Sequence, residues 1–131
     1  MEAKELVSLA QSAMENAYAP YSGYRVGAAL LCGDGTVYTG CNIENAAFSP
    51  TVCAERTALF KAVSEGKRSF AAMAVCGGKD GKISGIFPPC GVCRQVLREF
   101  CSGDFPLYLV TGEDTWDTVP LSSLLPYAFT L

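Results

Sequence analysis

A chain of 131 residues, half of them apolar and 18% charged, is long enough for one compact domain with a sizeable core and too short for two. Its net charge of -3, with ten Lys and Arg scattered along the chain, offers no basic stripe for a phosphate backbone, which argues against a nucleic-acid partner. There is no histidine, so Ser-His and Cys-His dyads are excluded, and proton transfer near neutral pH falls to a carboxylate or a metal-bound water.

Leu6, Leu9, Ala10, Ala13, Met14 and Ala17 recur at helical spacing, predicting a first amphipathic helix over 3–18 that Pro20 stops. Segments 25–32 and 37–41 are β-prone and joined across Gly33, Asp34 and Gly35, which predicts an antiparallel hairpin followed by a loop over 42–50. A second helix is expected over 51–65, closed by Gly66, with Cys53 and Glu55 in its first turn. A buried strand over 70–76 leads into a glycine- and proline-rich loop, 77–89, and a third helix follows over 90–100. Residues 107–111 read as another buried strand and 120–125 as a short terminal helix. Helices alternating with strands predict a layered α/β domain over 1–131, built on a mixed sheet.

The longest apolar runs, 27–32 and 70–76, are far too short to cross a bilayer, and Met1, Glu2, Ala3, Lys4 and Glu5 show no signal-peptide pattern. The expected compartment is the cytoplasm, without membrane contact. The apolar content is high for a soluble monomer of this size, so an oligomer is expected. Seven cysteines, an odd number without an export pattern, argue against a disulfide framework and for metal binding or catalysis.

Two segments carry the chemistry: Cys53 and Glu55 at the start of the second helix, and Cys90 and Cys93 at the start of the third. The Cys90/Cys93 spacing lets both sulfurs grip one ion at a turn into a helix, and Cys53 supplies a third ligand. Three protein ligands leave one tetrahedral position open for water, and Glu55 stands near enough to take that water's proton. Three thiolates around a dication carry a net charge of -1, which two helix N-termini and the guanidinium groups of Arg56 and Arg94 are placed to offset.

Blander readings exist for each group. Cys90 and Cys93 alone also suit a redox pair or a closed structural zinc knot, and Glu55 alone would suit a helix cap. A closed knot needs a fourth protein ligand, of which Cys41 is the most plausible. Otherwise Cys32, Cys41, Cys76 and Cys101, in strands or at a helix end, read as small buried hydrophobes without chemistry.

The sequence resembles the short, homotetrameric class of cytidine deaminases over nearly its whole length, through YAPYS at 18–22, GCNIENA at 40–46, CAERTA at 53–58, PCGVCRQ at 89–95 and LLPYAF at 124–129. That resemblance implies a three-layer α/β/α domain with a mixed five-stranded sheet. It also implies a hydrolase of pyrimidine salvage that converts cytidine and 2'-deoxycytidine to uridine and 2'-deoxyuridine. One Zn2+ per subunit would be held by Cys53, Cys90 and Cys93, with Glu55 as the proton shuttle. Asn42 and Glu44 match positions that hold the ribose hydroxyls, and Tyr24 and Phe129 match aromatics beside the base, Phe129 reaching in from a neighbouring subunit. The backbone of Ala54 would bond the pyrimidine edge, and the carbonyl of Pro88 would receive the leaving amine. Tyr24 stands where the family has phenylalanine, and Phe48, where tyrosine is common, removes a hydroxyl near the 5' end of the sugar. Rival functions are a related zinc deaminase acting on blasticidin-like nucleosides or another cytosine derivative, and a non-catalytic zinc-stabilised binding module.

Overall fold

In the computed structural model, which describes residues 1–131, α1 (Ala3–Ala13) buries Leu6, Val7, Ala10 and Ala13 along one stripe and tightens into a 3-10 turn, Met14–Asn16. The helix ends earlier than its apolar spacing predicts because Tyr18 is drawn into pairing elsewhere. Its N–H donates to Asn42 O at 3.0 Å and its carbonyl accepts from Glu44 N at 2.8 Å.

The hairpin forms as β1 (Tyr24–Cys32) and β2 (Val37–Cys41), with Gly35 at φ 91° in the turn. Next come α2 (Ala54–Ser64), β3 (Phe70–Lys79), α3 (Gly91–Phe100), β4 (Pro106–Val110), β5 (Trp116–Pro120) and α4 (Leu121–Leu124). The sheet order is β2-β1-β3-β4-β5; β3 and β4 run parallel and every other pair is antiparallel. β3 outruns its expected end at Cys76 because β1 continues the ladder alongside it as far as the Tyr24–Lys79 pair. β5 was not among the elements legible from periodicity. It is an edge strand whose Asp117 and Thr118 are exposed between the half-buried Trp116 and Val119, so it lacks an apolar run.

Alternation along the central strands divides the core into two layers. Ala28, Leu30, Met73 and Val75 face α2 and α3, where Leu59, Ala62 and Leu97 meet them. Ala29, Ala72, Ala74 and Cys76 face α1, packing against Leu6, Val7, Ala10 and Met14. The result is a three-layer α/β/α sandwich. Small side chains on the α1 face let the helix come close, and closest at Gly27, where a Cβ would lie 2.1 Å from Ala10 O and 2.8 Å from Met14 N. Gly27→Ala therefore forces backbone apart; we expect it to cost about 1–3 kcal/mol in equilibrium denaturation, and an unchanged midpoint would contradict this contact.

Because β1 runs against both neighbours, its first residue lies beside the ends of β2 and β3. Tyr24, the Asn42 loop and the segment after Lys79 converge at one end of the sheet, where α2 and α3 begin.

Candidate active site

Cys53 and Cys90 are the N-cap residues of α2 and α3, both in extended conformation (ψ 157° and 167°), and neither side chain caps its helix. Cys53 thus sits one step outside the helix expected to contain it, because Val52 is engaged in a bridge to Ile43. The uncommitted sulfurs point together. Cys53 Sγ lies 3.7 Å from Cys90 Sγ, and Cys90 Sγ lies 3.6 Å from Cys93 Sγ, with all three within 4.8 Å of one another. Sulfurs bound tetrahedrally at about 2.3 Å from zinc sit about 3.8 Å apart, so the cluster fits that ion without rearrangement. Cys41, the spare thiol that a closed four-sulfur site would need, is not part of the cluster.

The electrostatics prepare Cys53 for a cation. Its thiol is pushed down to about 5, chiefly by a hydrogen bond from Cys93 and then by Arg56, whose Nη2 donates to Cys53 Sγ at 3.4 Å. Cys93 is pushed up because it shares a proton with Cys53 and is buried. Arg94 does not reach sulfur, a correction to the charge-tuning role its sequence position suggested. Its Nε donates to Pro89 O at 2.7 Å and its Nη1 to Leu124 O at 2.8 Å, so it braces the start of α3 against the tail.

Glu55, in the first turn of α2, is 4% exposed, and its Oε1 has no hydrogen-bond partner. Burial raises its carboxyl to about 7, outweighing the opposing pull of Arg56. The first turn of α2 is seated on Gly40, where a Cβ would come within 2.5 Å of both Ala54 O and Ala58 N.

A cavity of about 300 Å³ opens beside Cys53, Glu55 and Cys90, and Tyr24, Asn42, Glu44, Ala54 and Pro88 also line it. Asn42 is already half committed: its Oδ1 accepts from Val26 N at 2.9 Å and its Nδ2 donates to Tyr24 O at 2.8 Å. One N–H and one lone pair remain for a ligand. Glu44 Oε1 accepts from the backbone N–H of Tyr21 and of Ser22, both at 3.0 Å, and Oε2 accepts from Ser22 Oγ. These bonds, the hydroxyl's first, hold its pKa below the usual carboxylate range. Phe129 lies outside this cavity, 67% exposed, with its carbonyl accepting from Gln95 Nε2 at 3.0 Å. Among the lining residues given no role from sequence are Ser22, which organises Glu44, and Phe87, whose ring centroid is 5.9 Å from that of Tyr24. The aromatic immediately before the Pro88, Pro89, Cys90 run was the available signal for Phe87.

Three sulfurs that fit zinc, with an unpaired buried carboxylate beside them, define a zinc-dependent hydrolase. The profile of the cytidine and deoxycytidylate deaminase zinc-binding region matches residues 1–109, and the chain belongs to that family. It is 52% identical over 129 residues to a cytidine deaminase of Sporosarcina psychrophila, covering 98% of this chain and 92% of that one. It is 48% identical over 130 residues to one from Halalkalibacterium halodurans, covering 99% and 96%. The crystal structure of cytidine deaminase from Burkholderia pseudomallei superposes with a TM-score of 0.90 at 44% identity, covering 98% of this chain and all of the other. No helix is long and apolar enough to cross a membrane.

Proposed function

We propose that this chain hydrolyses cytidine and 2'-deoxycytidine to uridine and 2'-deoxyuridine, releasing ammonia. The observation that carries the reading is the unpartnered, buried Oε1 of Glu55 beside the sulfur cluster, in a cavity that also presents Asn42 and Glu44.

Cys53, Cys90 and Cys93 would hold one zinc, which supplies a Lewis acid that makes water nucleophilic near neutral pH. Glu55 accepts the proton released from water and delivers it to N3 of the pyrimidine as C4 gains its new oxygen. The same carboxylate then takes the proton of the new C4 hydroxyl and carries it to the exocyclic nitrogen, and the C4–N bond breaks to leave the uracil carbonyl and ammonia. A carboxylate held near pKa 7 is suited to both transfers. The backbone of Ala54 bonds the pyrimidine edge, and the carbonyl of Pro88, which needs no side chain for the purpose, accepts from the leaving amine.

Glu44 and the spare N–H of Asn42 hold the ribose hydroxyls, which favours a nucleoside over the free base. Tyr24 flanks the base. Phe129, outside its own chain's cavity, is read as the aromatic that closes a neighbouring subunit's site in a homotetramer, and the exposed Phe48 and Tyr127 add apolar surface for such contacts. We read 1–131 as one domain of a cytoplasmic enzyme of pyrimidine salvage. Arg56, hydrogen-bonded to Cys53, offsets the excess negative charge of three thiolates. Arg56→Gln is expected to lower turnover roughly ten-fold with zinc still bound, and unchanged turnover at neutral pH would remove that role.

Ammonia release measured with cytidine, 2'-deoxycytidine, free cytosine and blasticidin S tests the substrate. We expect turnover of both nucleosides, and inactivity on both would overturn the reading.

A further inference from the structure

Glu44 is aimed by the segment that precedes β1, so what fixes that segment fixes the sugar end of the cavity. The turn is tight: Gly23 is at φ 75° and its N–H donates to Ala19 O at 3.0 Å. Besides its bonds to the loop over 42–44, the segment is supported by the end of β3. Lys79 Nζ donates to Ser22 O at 2.8 Å and stands 5.2 Å from the centroid of the Tyr24 ring, while Asp80 N donates to Gly23 O at 2.7 Å.

Lys79 is itself held in place. It pairs with Tyr24 in the β1–β3 ladder and begins a turn in which Asp80 (φ 54°) and Gly81 (φ 80°) are both left-handed, closed by Lys82 N donating to Lys79 O at 3.0 Å. An Asp-Gly pair suits such a turn. The ammonium is in no ion pair, since the one salt bridge of the chain joins Lys67 to Asp34. Its charge is directed at a carbonyl dipole and an aromatic face instead.

We propose that Lys79 is a positioning residue for nucleoside binding: anchored on the Tyr24 ring, it clamps the Ser22 carbonyl so that Ser22 keeps the Glu44 carboxylate aimed into the cavity. This rests on the nucleoside reading above and extends it to a residue outside the cavity. The chain of contacts is short. Lys79 fixes Ser22 O, and Ser22 in turn bonds both oxygens of Glu44 through its N–H and its hydroxyl. Without the ammonium, the turn must be reordered each time substrate binds, and that cost falls on affinity. Glu55 and the three sulfurs stand on α2 and α3, with no contact to Lys79, so the chemical step is unaffected.

The test is steady-state kinetics on the zinc-loaded protein. Lys79→Met keeps the aliphatic stem and removes the charged donor from an exposed position. We expect KM for cytidine to rise about five- to twenty-fold with kcat within about two-fold, and Lys79→Arg to restore most of the loss. In a Glu44→Gln background the same substitution should raise KM by less than about two-fold further, because both changes act on one contact. An active wild type whose KM is indifferent to Lys79→Met overturns this proposal alone. So does a fall in kcat at constant KM, or full multiplication of the two effects in the double variant. A wild type inactive on both nucleosides overturns the substrate reading and this proposal with it.

Discussion

Glu55→Gln is expected to keep zinc and fold while lowering kcat for cytidine by about 10²- to 10⁴-fold. The amide has the shape of the carboxyl it replaces but cannot accept the proton that water must lose or return it to nitrogen. Little else should change, because Glu55 is 4% exposed and its Oε1 has no partner to lose. The amide fills the same space in the first turn of α2, so the variant should melt close to the wild type. Zinc stoichiometry, thermal denaturation and the absorbance decay of cytidine on one preparation check all three statements. A kcat within ten-fold of wild type would show that some other group moves the protons.

Cys93→Ala should abolish the metal site itself. Cys93 is fully buried one turn into α3, and its removal leaves the two N-cap sulfurs, one of them on an exposed residue, with nothing beneath them. The binding free energy of a structural zinc site, about 10–16 kcal/mol, is shared among few ligands, so losing one lowers affinity by at least about a hundred-fold. Activity should fall with it, and added zinc should restore only part. Cys101→Ala is the control. Burial pushes that thiol up to about 12, away from the cluster, so the change costs packing and leaves zinc content alone. Equal zinc in both variants, measured after dialysis against a weak chelator, would contradict the three-sulfur assignment.

How much of this could be read from residues alone depended on how local each signal was. The four central groups were legible because Cys53 with Glu55 and Cys90 with Cys93 are short-range pairs whose spacing carries chemical meaning, and the fold brings the two pairs together where α2 and α3 begin. Helix starts shifted by only a few residues, since a sulfur at an N-cap and one in a first turn look alike in sequence. Arg94 misled for the same reason: adjacency to Cys93 suggests a shared target, but successive residues on a helix point about 100° apart, and this side chain reaches Pro89 and Leu124 instead. β5 hid because its Asp117 and Thr118, both polar and exposed, break the period-2 alternation and leave no apolar run. Ser22, though within the YAPYS segment, and Lys79 had no role legible from local pattern, since their meaning comes from contacts spanning 22 and 57 positions of the chain.

Zinc content per chain, followed together with the rate of cytidine loss while metal is removed and restored, tests the whole account most directly. The predicted result is one zinc per chain and a deaminase rate that falls and recovers in proportion to it. Full activity in metal-free protein, or a full complement of zinc in a protein that never releases ammonia from a nucleoside, would contradict it.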